Sequence, residues 1–476
     1  MDEDLARFAV QYGRNLGVQY CEARFHRTKE IACILKNGLV EPAVIDDAVG
    51  LGVRVLHQGA LAFSSTNVLD KANIREAVSE AVKRARAARS LLRKKIRFSK
   101  EPAARRKWSA PEKRRIENVG VEKLLAELRE IDHVAVKSGG GVKIPNRFHV
   151  LSASLEEKVY VNSEGTNLHS RVPRIQYYTY LTAVHGGQTA QRFFIKGETG
   201  GWEAYARMKL EEIIKHETKI LRLLLTKAVK PPTGKIDVIL APEVSGIAAH
   251  ESVGHPTEAD RIIGREAAQA GESYLKPENV GMKIGSDQAY LSDDPTLPNS
   301  FGFYLFDDEG VAARKRALIQ AGYIKELLHN RSTAYDFGLR SNASSRAVRF
   351  DREPIVRMGN TFVEPGDHTL DELLDDVEQG IYMKSFMEWN IDDKRLNQRY
   401  TGFEAYLIEK GELKGLVKGP VLEITTPGLW GSVDARGKEM GFFAGTCGKG
   451  EPMQGCPVWM GGPDVRLRKV TIGVRQ

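Results

Sequence analysis

Apolar residues recur at helical spacing in four stretches of the first half of the chain. Residues 3–16, 70–97, 119–137 and 202–225 are each predicted to form an amphipathic helix. Runs rich in β-branched and aromatic residues predict strands between these helices. These runs are QYCEARF (19–25), EIACILKNG (30–38), GLGVRVLHQG (50–59) and most of residues 147–196. The first half is therefore expected to mix helices and strands.

The helical pattern stops at KAVKPPTGK, residues 227–235, because Pro231 and Pro232 cannot continue a helix. An apolar strand at residues 236–240 and a helix starting at Pro242 follow. The remainder is glycine-rich and strand-like, with one helix near residues 369–380. We therefore predict a mixed α+β fold with two domains. An α/β domain spans residues 1–228, and a strand-rich domain that carries the Pro242 helix spans residues 229–476.

Composition is that of an ordinary globular protein, with 42% hydrophobic and 28% charged residues in a chain of 476. Four cysteines are too few for a disulfide framework and indicate a reducing compartment. The acidic start, MDEDLARFAV, does not resemble a secretory signal, and no apolar run is long enough to predict a transmembrane helix. We expect a cytoplasmic protein with no membrane partner.

The positive charge of the chain is concentrated in one segment. The net charge is +8, but residues 83–115 alone carry +13, so the rest of the chain is at −5. The first part of this basic segment continues a predicted helix, and the second part contains Pro102 and Pro111 and is predicted to be an exposed connection. A solvated face is the favoured interpretation, and a patch for nucleic acid or another acidic partner is the alternative. Phe98 and Trp108 are the only aromatic residues among these charges, and two are too few for a surface on which nucleic-acid bases stack.

The Pro242 helix carries the sequence His250-Glu251-Ser252-Val253-Gly254-His255. This His-Glu-x-x-x-His pattern is one residue longer than the usual zinc-peptidase motif. In a regular helix, residues five apart point about 140° away from each other, so the two imidazoles would not meet. An extra residue in the turn, a π-bulge, would bring them together, and Gly254 and Pro256 favour such a distorted helix end. The alternative is a pair of packed or surface histidines.

A catalytic zinc ion takes three protein ligands and keeps one position for water. Cys447, within Ala-Gly-Thr-Cys-Gly-Lys-Gly, is the best third candidate because nearby glycines let the backbone approach an ion closely. Lys449 would favour its thiolate. Cys456 is the competitor, whereas Cys21 and Cys33 lie in strand-like runs and are expected to be buried small hydrophobes.

This residue set predicts hydrolysis by a metal-activated water. Glu251, next to the first histidine, is the candidate general base that takes the water proton and passes it to a leaving amine. Glu258 and Asp260 are candidates either for orienting a ligand imidazole or for a simple surface role. His329 and Arg331 are weaker candidates for stabilising an oxyanion, and a structural polar network is at least an equal alternative for them.

Five motifs together resemble the TldD/PmbA metalloprotease family, and specifically its TldD half. They are HESVGHPTEAD (250–260), FDDEG (306–310), LLHNRSTAYDFG (327–338), MGNTFVEPGDH (358–368) and GTCGKG (445–450). The resemblance implies one zinc per chain bound by His250, His255 and Cys447, with Glu251 as the catalytic residue. It also implies two-fold dimers, either homodimers or pairs with a TldE-like paralogue, that hydrolyse small or unfolded peptides held by strand addition. The basic segment and Cys456 depart from the family pattern.

Two other functions remain as alternatives. The chain could be a non-catalytic, peptide-binding partner subunit of a two-chain protease, although intact Glu251 and Cys447 argue against this. It could also be a nucleic-acid-associated factor that uses the basic segment, which we consider the weaker alternative. The expected cofactor is Zn²⁺, because two imidazoles and a thiolate favour zinc or a near neighbour.

Overall fold

A computed structural model describes residues 3–266 and 271–474 of the chain. In the first half, one seven-stranded sheet is covered by helices. Its elements are α1 (Glu3–Asn15), β1 (Tyr20–Lys36), β2 (Leu39–His57), β3 (Ala60–Thr66), α2 (Lys71–Ala88), β4 (Arg105–Ser109), α3 (Val121–Ser138), β5 (Lys143–Asn162), β6 (Asn167–His185), β7 (Gln188–Thr199), α4 (Glu203–Met208) and α5 (Leu210–Thr226). The strand order is β3-β2-β1-β5-β6-β4, and β7 also pairs with β6.

Alternation along β1 explains how this sheet is covered. At both ends of β1 the odd-numbered residues are apolar and pack under the helices: Phe25 packs in the cluster formed with α1 and α2, and Leu35 packs in the cluster formed with α3 and α5. The even-numbered residues Glu22, Arg24 and His26 point to the other face and are also buried. The second half of the chain covers that polar face.

Charged pairs hold the two halves together. Arg54 is 2% exposed and lies between Glu22 (2.9 Å) and Glu309 (2.6 Å). Arg24 donates to the backbone carbonyls of Arg349 and Arg352. A fully buried guanidinium needs such partners, because an unpaired buried charge is strongly destabilising. This contact fixes the first sheet against the loops of the second half.

The second half contains a six-stranded sheet, a nine-stranded sheet and a two-stranded ribbon. Its strands are β8 (Gly234–Leu240), β9 (Leu291–Asp293), β10 (Arg316–Gln320), β11 (Tyr323–Ile324), β12 (Ser345–Arg346), β13 (Ile355–Val356), β14 (Asn360–Val363), β15 (Gln379–Met383), β16 (Phe386–Ile391), β17 (Asn397–Gly402), β18 (Ala405–Glu409), β19 (Glu412–Leu416), β20 (Pro420–Thr425), β21 (Val433–Arg436), β22 (Gly441–Lys449), β23 (Gln454–Gly462) and β24 (Val465–Val474). Its helices are α6 (Pro242–Ala249), α7 (Ala259–Ile262), α8 (Arg331–Asp336), α9 (Leu370–Leu374) and α10 (Thr426–Gly431). The predicted mixed α+β fold with a strand-rich second half is confirmed.

The six-stranded sheet runs β11-β10-β9-β14-β23-β22, and the nine-stranded sheet runs β16-β17-β20-β24-β8-β15-β18-β19, with β21 beside β24. Helix α6 contacts strands of both sheets. Every residue of α6 is buried except Pro242, which is partly exposed. This burial explains why the residues of α6 are almost all apolar or small. Gly246 is required because a Cβ there would lie 2.5 Å from the backbone nitrogen of Gly461.

Three element predictions were wrong in extent. Helix α2 ends at Ala88 rather than at residue 97, and beyond it the backbone N–H of Ile96 donates to Gly59 instead of continuing the helix. The predicted helix 202–225 is broken at Lys209, whose φ of 48° is left-handed. The predicted helix at 369–380 covers only Leu370–Leu374. At the end of α2, this long-range contact overrides local helix propensity.

The basic segment is partly regular structure, which corrects its description as an exposed connection. Residues Arg105–Ser109 form β4, which pairs in parallel with β6. Most side chains of β4 are nonetheless exposed, as expected for a solvated face. None of the helices within the described residues is long and apolar enough to cross a membrane.

Candidate metal centre

A single π turn follows α6 and brings the two candidate histidines together. It spans His250–Gly254, and the N–H of His255 donates to the carbonyl of His250 at 3.1 Å. The extra residue in the turn offsets the five-residue spacing, so the two imidazole rings have centroids 4.9 Å apart. Gly254 is needed here because a Cβ would lie 2.0 Å from the sulfur of Met358. The predicted π-bulge is therefore present.

Strand β22 brings Cys447 to these histidines from almost 200 residues away. Its Sγ lies 3.3 Å from Nε2 of His250 and 3.3 Å from Nε2 of His255. All three side chains are buried, and their candidate ligand atoms lie within 4.8 Å of one another. Across residues 3–266 and 271–474, this is the one group of three or more such side chains placed to share an ion. Cys456, the competing third candidate, is outside it.

The residues present fit a zinc-type ion. A tetrahedral ion with bonds of about 2.0–2.3 Å separates its ligands by roughly 3.3–3.8 Å, which matches the sulfur–nitrogen distances here. Both Nε2 atoms face the thiol, and Nδ1 of His250 is buried without a hydrogen-bond partner. Two imidazoles and one thiolate are a borderline-soft donor set that suits zinc.

The pKa of the Cys447 thiol lies close to neutral pH. Burial alone would raise its pKa, but His255 and Arg357 outweigh burial and lower the pKa to about 7. Arg357 is fully buried and donates to the carbonyls of Cys447 and Gln454. The expectation that Lys449 has this role is wrong, because its ammonium group binds other residues.

Lys449 instead belongs to a buried charge cluster behind His255. Its Nζ donates to both oxygens of Asp260 (2.7 and 2.8 Å) and to the carbonyl of Val356, and it lies 3.3 Å from Glu258. Glu258 faces Nδ1 of His255 at 3.0 Å. Of the two roles left open for Glu258 and Asp260, a surface role is wrong, since both are buried.

Glu258 is ionised in this setting. Burial would raise its pKa, but Lys449, Arg261 and His255 hold the pKa well below its ordinary value. Its Oε2 also accepts from Nε of Arg261 at 2.6 Å. A carboxylate on Nδ1 makes that nitrogen the protonated one, which leaves the lone pair of Nε2 facing Cys447. Glu258 thus orients the second candidate imidazole.

Glu251 lies on the same π turn and is 7% exposed. Burial would raise its pKa, but His255, His250 and Arg395 lower it below the ordinary value. Its Oε2 accepts from Nη1 of Arg395 at 2.6 Å. Arg395 lies in the turn between β16 and β17 with a left-handed φ of 64°. No local motif linked Arg395 to Glu251, which is 144 residues earlier, so sequence reasoning missed it.

The other sequence candidates lie outside this arrangement. Arg331 donates to the carbonyl of Ser99 and pairs with Glu164, so its guanidinium serves the contact between the two halves. His329 is buried, contacts Thr333 through Nδ1 and packs against Phe337. Neither contacts the four candidate site residues, so the structural alternative fits both.

The FDDEG motif, residues 306–310, forms a turn. Asp307 accepts from the backbone N–H groups of Glu309 and Val311, and Gly310 has a φ of 78°. Glu309 then pairs with Arg54 across the contact between the halves. This motif is therefore structural.

A buried imidazole–imidazole–thiol cluster, with a carboxylate on the same helix turn, is an arrangement typical of metal-dependent peptidases. Comparison with known proteins agrees. Three family models match: PmbA/TldA metallopeptidase domain 1 at residues 21–88, the central domain at 114–230 and the C-terminal domain at 233–474. The chain belongs to the PmbA/TldD family of metallopeptidases.

The names of individual relatives agree with membership of this family. A metalloprotease of Methanothermobacter thermautotrophicus is 30% identical over 469 residues, covering 96% of each chain. A zinc metalloprotease TldD homolog of Saccharolobus solfataricus is 31% identical over 250 residues, covering 52% of this chain and 53% of its own. The crystal structure of TldE from Thermococcus kodakarensis superposes with a TM-score of 0.73 over 99% of both chains. At 19% identity, that likeness concerns the fold.

Proposed function

We propose that this chain is a zinc-dependent peptidase of small or unfolded peptides, with one zinc per chain bound by His250, His255 and Cys447. The observation that carries the proposal is the π turn, which presents two imidazoles to a thiol and a carboxylate beside them. Zinc at such a site lowers the pKa of a water molecule and polarises a peptide carbonyl. The chain's own residues then handle the protons.

Glu251 is the proposed general base. Arg395 holds Oε2 of Glu251, and Oε1 has no hydrogen-bond partner among the described residues, so Oε1 is the oxygen that accepts the proton of the attacking water. The same carboxyl then donates that proton to the leaving amine. Since the carboxylate is ionised and buried at rest, it is ready to accept a proton without first losing one.

Burial supports the proposed substrate class. All four proposed site residues are less than a tenth exposed, so an intact folded protein cannot bring a peptide bond to them. An extended chain is narrower, and β22, which carries Cys447, is the last strand in the order of its sheet. An extended peptide lying along such an edge would be held by backbone hydrogen bonds with little dependence on its sequence.

We also propose that the protein works as a dimer, with itself or with a TldE-like paralogue. The names TldD and TldE among its relatives and structural neighbours support this. The cytoplasm remains the proposed location, supported by four cysteines that are all free thiols.

Zinc content and peptide hydrolysis, measured on the same preparations, test the function. Glu251→Gln keeps the shape and the Arg395 contact but cannot act as a base. We expect it to retain about one zinc per chain and to lose roughly 10²–10⁴-fold in hydrolysis rate. Cys447→Ser should lose zinc and activity together, whereas Cys456→Ser, the matched control, should keep zinc. Hydrolysis that survives in Glu251→Gln, or zinc that survives without Cys447, contradicts the proposal.

A further inference from the structure

A polar cavity lies on the face of β22 that points away from the candidate metal centre. Successive side chains of a strand point to opposite faces, so Thr446 faces the other way from Cys447. Oγ1 of Thr446 accepts from Nε2 of Gln176 on β6 at 3.4 Å, and both residues line a cavity of about 280 Å³. Strands β1, β5 and β6 of the first half form its other wall. The cavity therefore lies between the two halves of the chain, beside the strand that carries Cys447.

Most charged groups in this cavity neutralise one another. Nζ of Lys158 lies 2.8 Å from Glu156 and 3.0 Å from Asp308, and Nη1 of Arg174 donates to Glu156 at 2.9 Å. The third base in the lining, Arg346, donates to a backbone carbonyl at 2.7 Å. Each base is therefore already engaged, and two of the four carboxylates that line the cavity are balanced by Lys158 and Arg174.

Glu30 on β1 is the carboxylate that lacks a counter-charge. Among the residues that the structure describes, no basic side chain forms an ion pair with it. Burial raises its pKa, a hydrogen bond from Ser152 partly offsets this effect, and the charge of Asp46 raises the pKa further. Asp307, the remaining acid of the lining, differs because three backbone N–H groups donate to it. A cation that enters the cavity would therefore stabilise Glu30 in its ionised form.

We propose that this cavity is a subsite for one lysine or arginine side chain of a peptide substrate, and that Glu30 selects this side chain. The inference rests on the proposed function, because it takes the peptide to lie along the edge of β22. It goes further by naming which feature of the peptide sequence the protein recognises.

Strand addition determines which side chain of the peptide enters the cavity. A peptide paired with β22 continues the pleat of that sheet, so its side chains point alternately to the face of Cys447 and to the face of Thr446. The two residues that flank the cleaved bond are neighbours in sequence, so one of them points towards the cavity. Hydroxyl groups of Thr28 and Ser154 also line this space and supply further acceptors for a charged group.

Two series of alanine-based peptides test the subsite on the full, zinc-loaded chain. In one series a single lysine moves one position at a time, and in the other series norleucine, which has no ammonium group, takes its place. Mass spectrometry of the products identifies the cleaved bond. We expect this bond to stay at a fixed number of residues from the lysine, and kcat/KM to be about 10-fold higher for lysine than for norleucine.

Two variants locate the source of this preference. Glu30→Gln keeps the shape of the side chain and removes its charge, so the ratio of kcat/KM for lysine over norleucine should fall to about one. Glu41→Gln is the matched control, because Glu41 lies on the same hairpin, is exposed and lies outside the cavity. This control should keep the preference. A cleaved bond that does not follow the lysine, or an unchanged ratio in Glu30→Gln, overturns the subsite.

A binding measurement separates this inference from the proposed peptidase. Glu251→Gln, which should bind peptides without cleaving them, is titrated with fluorescent versions of the same peptides, with and without Glu30→Gln. Tighter binding of the lysine peptides that depends on Glu30 supports the subsite even if the wild type cleaves nothing, and the peptidase proposal then fails alone. Cleavage without a preference for lysine overturns the subsite and leaves the peptidase standing. Binding of no peptide also overturns the subsite.

Discussion

The carboxylate behind His255 offers a sharp test of how the site is organised. Glu258→Gln keeps the size and shape of the side chain but removes its charge. The native carboxylate meets Nδ1 of His255 at 3.0 Å, Nε of Arg261 at 2.6 Å and Nζ of Lys449 at 3.3 Å. All three contacts are made by one oxygen, Oε2, and an amide oxygen in its place carries no negative charge, so each of the three contacts weakens. We expect the imidazole of His255 to lose its fixed orientation.

The size of the effect follows from that geometry. Loss of the carboxylate behind a ligand imidazole typically weakens metal binding by about 10–100-fold. That change is equivalent to about 1.4–2.7 kcal/mol. Stability should fall as well, because Arg261 loses a buried counter-charge, and breaking a buried pair costs about 3–5 kcal/mol.

Zinc affinity should be measured by competition with a chelator of known affinity, and stability by thermal unfolding of the zinc-free protein. Asp260→Asn is the matched control, because Asp260 binds the same Lys449 but does not contact His255. Both variants should unfold at lower temperature, and only Glu258→Gln should bind zinc more weakly. Unchanged zinc affinity in Glu258→Gln, or an equal loss in Asp260→Asn, would refute the orienting role.

Two further predictions concern Arg395 and His329. Arg395→Met should keep its zinc but lose about 100-fold in kcat, because Glu251 is no longer held in position. Partial recovery of kcat in Arg395→Lys would distinguish positioning from general damage to the fold. An unchanged kcat in Arg395→Met would contradict the positioning role. Burial lowers the pKa of His329 from 6.5 to about 4, so the unfolded chain binds more protons between these values and stability falls as pH drops from about 6.5 to 4. Melting temperatures across this range should fall less steeply in His329→Gln, and parallel curves for the two proteins would contradict this.

The geometry of the candidate centre was predictable where local chemistry determines it. The five-residue spacing of His250 and His255 requires a distorted turn if the rings are to meet, and the π turn has that distortion. The glycines around Cys447 likewise indicated a backbone that approaches an ion closely. Arg357 and Arg395 could not be found this way, because nothing in their local sequence distinguishes them from surface arginines.

The same limit applies to the fold. Alternation along β1 predicts a strand with one apolar and one polar face, and a polar face is normally expected to meet water. Here the polar face is buried, because Arg54, which pairs with Glu22 on the neighbouring strand, also pairs with Glu309 from the second half. Only the complete set of charges on both surfaces shows that they are complementary. Sequence patterns near Arg54 carry no information about a partner 255 residues away.

The second half supplies every proposed ligand, from a helix end and from a strand that lie almost 200 residues apart. The turn that carries His250 and His255 follows β8 of the nine-stranded sheet, whereas Cys447 lies on β22 of the six-stranded sheet. A zinc ion bound by all three would link the turn after α6 to β22, so its binding energy would stabilise the packing of this helix on the six-stranded sheet. The zinc-loaded protein should therefore unfold at a higher temperature than the chelated one, and equal melting temperatures would contradict this link.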